Sequence, residues 1–230
     1  MYIMYSIGIK GGIDMKKALE LVFILDRSGS MSGLEKDTIG GFNSVIEKQK
    51  QIHGDDVIVS TILFDHDTEV IHNRVPIKEV EPMDESMYDI GGTTALLDAV
   101  GGAIEHTRRV HRLLGDVDKP QEVMYIITTD GQENSSRKYQ RKYIKRLIEK
   151  LQEDSWEFIF LGANIDAFAD AMTYGIRRDR TVQYMHDGMG TRHMYDAVND
   201  VIHMKRSHRS IDSTWHEKAN ADFNKRSKSK

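Results

Sequence analysis

Five side chains in three separate segments are of the types that hold a hard cation. Asp26-Arg-Ser28-Gly-Ser30 places three oxygen side chains at i, i+2 and i+4, and on a tight turn they converge on one point. Gly91-Gly92-Thr93-Thr94-Ala95-Leu96 offers a hydroxyl at the start of a helical pattern, and Ile126-Ile-Thr-Thr-Asp130-Gly131 ends in a carboxylate. Oxygen-only donors suit Mg2+ first, with Mn2+ and Ca2+ as alternatives. Two carboxylates balance a divalent ion, while neutral hydroxyls donate weakly. If both carboxylates stand back behind water, the ion stays electrophilic, and an open position on it favours a carboxylate from outside. Such a site binds. No His, Lys or Glu is placed beside it by the sequence as a general base, so the expectation is a binding protein and not an enzyme.

These residues need a scaffold that brings three distant segments together. Leu21–Leu25 is a short, continuous, β-rich apolar run, as in a strand buried on both faces. Residues 35–52 follow in a helical pattern, then a second buried strand at Val57–Phe64, a turn at Asp65-His66-Asp67 and a short returning edge strand at Thr68–Ile71. Residues 73–93 read as irregular, and 95–114 as a helix with Leu96, Leu97, Val100, Ile104 and Val110 inward. The alternation repeats: a strand at Val123–Thr128, a helix over 137–151 capped by Ser135 or Ser136, and a strand at Trp156–Leu161. A helix ending at Tyr174-Gly175, a strand at Thr181–Tyr184 and a helix over 191–205 complete the pattern. Strands alternating with helices predict a doubly wound α/β domain: about six strands, mostly parallel with one antiparallel edge, and helices on both faces. In such sheets ligands sit outside the carboxyl ends of the strands, where Asp26 and Asp130 fall.

The three segments resemble the von Willebrand factor type A domain and its metal-ion-dependent adhesion site. That motif joins a D-x-S-x-S loop, a distant Thr and a distant Asp in a T-D-G context. Here it reads D-R-S-G-S, G-T-T-A-L and T-T-D-G, in the right order, over about residues 18–205. The closest likeness is to intracellular or bacterial forms that read L-D-x-S-G-S-M and T-D-G-x-E-N. The resemblance implies a Rossmann-like sheet and direct metal bonds from the hydroxyls of Ser28, Ser30 and Thr94. Asp26 and Asp130 would act largely through water, or one of them directly. The following Ala-Leu-x-Asp-Ala favours Thr94 as the threonine; counting from the Gly-Gly pair favours Thr93. Met31, Ser32, Gly131 and Gln132, next to the site, are the expected contacts with a protein partner that supplies an Asp or Glu. In many cytoplasmic relatives that partner belongs to a multi-protein machine, often with an ATPase.

Composition bounds the alternatives. At 230 residues, 39% hydrophobic and 30% charged, the chain can bury a core, and it has no cysteine for a disulfide, a thiolate metal site or a thiol nucleophile. The longest apolar stretch, Ala18–Leu25, is interrupted by Glu20 and falls short of the roughly 20 residues of a membrane span. The expected setting is the cytoplasm, with no membrane contact. Residues 1–14 read as an N-terminal extension, 15–205 as the domain and 206–230 as a basic polar tail. The ten histidines show no ligand spacing. Lys138, Arg141, Lys142, Lys145 and Arg146 form a basic helix face, read by default as solvated, and the net charge of −4 makes nucleic acid an unlikely partner. Two other functions remain open to test. One is metal-dependent hydrolysis of a phosphate ester, with Glu133 as the nearest base. The other is nucleic-acid binding through the 137–146 face and the tail.

Overall fold

Leu19–Asp26 forms the first strand, β1, and every one of its residues is buried. A strand with no exposed face must be covered on both sides, and that is why Leu21–Leu25 reads as an apolar run. The computed structural model describes residues 18–53, 56–115, 118–163 and 166–228. The expected extension at residues 1–14 lies outside these.

The other strands are β2 (Val57–Phe64), β3 (Thr68–Pro76), β4 (Glu122–Thr129), β5 (Trp156–Ala163) and β6 (Thr181–Tyr184). The helices are α1 (Glu35–Lys50), α2 (Leu96–Leu113), α3 (Arg141–Glu153), α4 (Ala167–Thr173), α5 (Gly188–Arg206) and α6 (Glu217–Ser227). The six strands lie in the order β3-β2-β1-β4-β5-β6. All neighbours are parallel except β3, which runs antiparallel on the β2 edge. The sheet is thus wound outward in both directions from β1 and β4, as the alternation of elements predicts.

Period-two alternation divides β1 between two cores. Leu21, Phe23 and Leu25 pack with Phe42 of α1, Val198 of α5 and Trp215. Val22 and Ile24 pack with Val100 of α2, Ile148 of α3 and Ala171 of α4. No helix among the described residues is long and apolar enough to cross a membrane.

Three elements differ from expectation. The edge strand runs on to Pro76 instead of stopping at Ile71. Helix α3 begins at Arg141 rather than 137, behind Gln140, and no side chain caps it. The reason is a competing acceptor: the backbone N–H groups of Arg137, Lys138 and Tyr139 bond the Asp98 carboxylate at 2.8, 2.9 and 2.9 Å. Those three residues are held on α2 and do not start a helix of their own.

The third difference is the C-terminal segment, which is not a solvated tail. Residues Ser213–His216 form a 3-10 turn that leads into α6. Trp215 is buried in the α1/α5 core, and its Nε1 donates to the Asp179 carbonyl at 3.3 Å. One large side chain anchors an otherwise polar segment, too little to set a hydrophobic period in the sequence.

Glu20, the second residue of β1, is fully buried. Its Oε2 lies 2.7 Å from His111 Nε2, and its Oε1 pairs with the Arg74 guanidinium. Arg74 sits on irregular β3 backbone with a left-handed φ of 54°, and its N–H bonds Ser60 Oγ at 3.0 Å. Burial pushes the Glu20 carboxyl up, but the His111 hydrogen bond and the Arg74 charge outweigh it and hold the group below the usual range. A depressed carboxyl stabilises the fold above its unfolded pKa and loses that contribution as pH falls through the folded value. Glu20→Gln is therefore expected to cost about 3 kcal/mol at neutral pH, because it leaves a buried guanidinium short of its counter-charge. Denaturant titrations across pH check this: the variant should also show a shallower loss of stability below about pH 4.5, the ordinary carboxylate value.

Candidate functional site

Asp26 ends β1 and lies one position beyond the Leu25–Thr128 pair, so it faces the end of β4 at Thr129. Neighbouring parallel strands therefore deliver Asp26 and Asp130 side by side, at the place where the winding of the sheet reverses. Both carboxylates are buried, at 1% and 3% residue exposure. Asp26 Oδ1 accepts from the Ser28 N–H at 2.8 Å, and Oδ2 from the Thr129 hydroxyl at 2.6 Å. The Tyr88 hydroxyl donates to the Asp26 carbonyl.

The loop after β1 turns at once into a 3-10 turn over Gly29–Met31, with the Met31 N–H on the Ser28 carbonyl at 2.9 Å. That turn stacks two hydroxyls: Ser28 Oγ and Ser30 Oγ are 3.0 Å apart. Ser30 Oγ then donates to Asp130 Oδ1 at 2.6 Å. Ser28 is buried and Ser30 exposed, so the row of oxygens climbs from the sheet to the surface.

The third segment arrives on the loop before α2. Gly92 has φ of +70°, and a Cβ there would lie 2.3 Å from His66 Nδ1, so only glycine fits this bend. Beyond it Thr94 is buried, and Thr93 is exposed. Thr94 and Asn134 bond reciprocally, Thr94 N–H to Asn134 Oδ1 at 3.0 Å and Asn134 N–H to the Thr94 carbonyl at 3.1 Å. This pair ties the threonine loop to the Asp130 loop. A Cβ added at Gly131 would meet Thr94 Oγ1 at 3.0 Å and Ser30 Oγ at 3.2 Å. Both hydroxyls therefore border one small space beside Gly131 that a larger residue would fill. The geometry brings Asp26, Ser28, Ser30, Thr94 and Asp130 together, and the threonine hydroxyl that borders Gly131 is that of Thr94.

Of the neighbours expected to meet a partner, Ser32 and Gln132 are exposed and Gly131 is half-buried. Met31 is not on that surface. At 2% exposure it is buried, because the 3-10 turn points it down into the protein. Glu133, the nearest base considered, is fully engaged. Its oxygens accept from the backbone N–H of Leu97, Ser135 and Ser136 and from the Ser136 hydroxyl, at 2.8 to 3.1 Å. It joins its loop to the start of α2.

One residue was not legible in the sequence. His186, just after β6, has Nε2 2.8 Å from Asp130 Oδ2. Its position follows from the strand order, and no local spacing signals it. The two atoms touch without being aligned as a hydrogen bond, and both are buried.

Two buried carboxylates in one pocket repel each other. Burial pushes the Asp26 carboxyl up to about 6 against the hydrogen bonds from Ser28 and Thr129, and the charge of Asp130 adds to the rise. A divalent cation would relieve that repulsion. The donors fit one: three hydroxyls, two carboxylates and the space beside Gly131 that an added Cβ would fill. Among the described residues no three His, Asp or Glu side chains form a metal cluster by themselves. An ion here would rest on the hydroxyls as much as on the carboxylates.

No family model and no curated protein sequence matches the chain. Solved structures do. Proximal thread matrix protein 1 from the mussel byssus, in a structure with a zinc-occupied MIDAS motif, is 14% identical with a TM-score of 0.57. The match covers 83% of this chain and 47% of that one. The ArnB paralog VWA2 from Sulfolobus acidocaldarius is 20% identical with a TM-score of 0.53, over 79% of this chain and 44% of that one. The fold is that of a von Willebrand factor type A domain. The PilB minor pilin from Streptococcus sanguinis shares it as well, at 12% identity and a TM-score of 0.55, over 86% of this chain and 63% of that one. The chain spans about half the length of the byssus and Sulfolobus proteins. At these identities the likeness to type A domains is one of fold.

Two expectations follow from the geometry. Gly131→Ala should leave the fold intact while lowering divalent-ion affinity at least about tenfold, because the added methyl crowds two hydroxyl donors. Calorimetric titration beside thermal unfolding in EDTA checks both halves. A cation entering the cluster also displaces the proton that Asp26 carries below about pH 6. Affinity should accordingly fall about tenfold from pH 7 to pH 5. A flat profile would show that Asp26 does not take part.

Proposed function

We propose that this protein is a metal-dependent interaction module that captures a carboxylate of a protein partner. Ser28, Ser30 and Thr94 hold the ion directly, and Asp26 and Asp130 balance its charge from behind. Their oxygens alone suit Mg2+, with Mn2+ and Ca2+ as alternatives. The observation that carries this reading is the graded row of oxygens. Buried carboxylates lie beneath it, and Ser30, an exposed residue, stands at the surface. An ion held there is neutralised from below and open from above, where an Asp or Glu side chain completes its coordination. The occupied MIDAS motif of the byssus protein supports divalent-metal binding by this fold in general. Ser32, Gly131 and Gln132 surround the opening and make the first contacts with the partner.

The phosphate-ester alternative gains nothing from the geometry, since Glu133 is held in a structural role. The basic face of α3 gains no support as a nucleic-acid surface.

The test uses immobilised wild-type protein and a Ser28→Ala/Ser30→Ala variant, with host lysate in Mg2+ or in EDTA. The expected result is a protein retained by wild type in Mg2+ alone and lost when its contacting Asp or Glu becomes Asn or Gln. Retention that survives EDTA and the double substitution would contradict the proposal.

A further inference from the structure

Beside the proposed metal site lies a cleft of about 410 Å³, between the β2–β3 hairpin, the threonine loop and the segment before α3. Thr93 and Ala95 line one side of it, His66 and Asp67 a second, and Arg137 and Lys138 a third. Thr94 borders the space beside Gly131, and Thr93, its chain neighbour, lines the cleft. An extended chain advances roughly 3.3 Å per residue, so a few residues of a bound partner reach from one to the other.

The charges around this cleft are not equally free. Asp98 lies in its wall, and its carboxylate is taken by the backbone N–H groups of Arg137, Lys138 and Tyr139. His66 Nδ1 is 3.1 Å from Asp65 Oδ1, and its Nε2 is 3.7 Å from Asp67 Oδ2. Arg27, on the same side of the hairpin, is committed to Glu69 and Asp65. Arg137 and Lys138 are different. Both are exposed, and neither side chain has an ion-pair partner among the described residues. The three N–H bonds to Asp98 fix the backbone from which both side chains leave. Two uncompensated cations thus stand on a fixed support next to the place where a partner carboxylate meets the ion. An acidic residue beside that carboxylate meets opposite charge there, and a basic one meets repulsion.

We propose that this cleft receives a second carboxylate of the same partner, with Arg137 and Lys138 as its contacts. The partner is then an acidic segment, with one Asp or Glu on the ion and another close to it in sequence, and not a lone carboxylate. The proposal rests on the metal-site reading above and adds a specificity to it.

The test is an NMR titration of the isotope-labelled full chain with two synthetic pentapeptides, Gly-Gly-Asp-Gly-Gly and Asp-Gly-Asp-Gly-Asp, in Mg2+ and in EDTA. In Mg2+ the acid-flanked peptide should bind wild type at least about fivefold tighter than the single-Asp peptide. Arg137→Gln/Lys138→Gln should bring the two peptides level, and each single substitution should narrow the gap. Arg109→Gln/Arg112→Gln removes the same charge from the last turns of α2, at the end away from the threonine loop, and should keep the preference. Added salt should shrink it, because exposed charges are screened. Equal binding of both peptides by wild type, a preference that survives in the cleft variant, or one lost equally in the α2 variant would overturn the cleft as a subsite. The single-Asp peptide reports on the metal site by itself. If it binds as well in EDTA as in Mg2+, or binds in neither, the metal-site reading fails and this one with it.

Discussion

The organising constraint is the burial of two carboxylates, Asp26 and Asp130, at the ends of neighbouring parallel strands. Burying one charged group is unfavourable, and burying two of the same sign is worse. The structure spends a set of specific contacts on this arrangement. Thr129 and the Ser28 N–H hold Asp26, Ser30 holds one oxygen of Asp130, and His186 stands against the other. No such network is required for an α/β sheet to fold. It fits the proposed site, in which a cation would offset the two charges.

The loops around the pair are knitted so that the donors cannot drift. Gly29 and Gly91 bond across to Gly92 and Arg27, joining the serine loop to the threonine loop. Arg27 pairs with Glu69 at 2.6 Å and lies 3.4 Å from Asp65, fastening the serine loop to the β2–β3 hairpin. Asn134, Glu133 and Asp98 bind the Asp130 loop to the start of α2. Chain segments far apart in sequence become one rigid rim, as a site needs if its geometry is set before anything binds. Support reaches further still. Helix α6 steadies the His186 loop through Arg226 and Asp187, so the polar C-terminal segment contributes to the site from outside it.

Much of this was legible in the sequence, for identifiable reasons. Strands covered on both faces must be apolar throughout, so β1, β2, β4 and β5 stand out as runs. The donors of the first loop lie within five residues of one another, so Asp26, Ser28 and Ser30 also stand out. What stayed hidden depends on contacts between segments. Ser135 and Ser136 look like helix caps until Asp98, on another helix, takes the neighbouring N–H groups. Met31 reads as a surface residue until the 3-10 turn directs it inward. His186 has no partner within its own segment. It reaches Asp130 because β6 lies in the same sheet, two places beyond β4. Helix α6 is held by Trp215 just before it, by the buried Ala219 and by the Arg226–Asp187 pair, and its apolar anchors are too few to announce a period.

The central claim is that a divalent ion sits among Ser28, Ser30, Thr94, Asp26 and Asp130. Crystals soaked in Mn2+, with data collected at the manganese edge, address it directly. The account predicts one strong anomalous peak within bonding distance of the hydroxyls of Ser28, Ser30 and Thr94. Well-ordered crystals with no peak there, or with manganese bound only elsewhere, would contradict it.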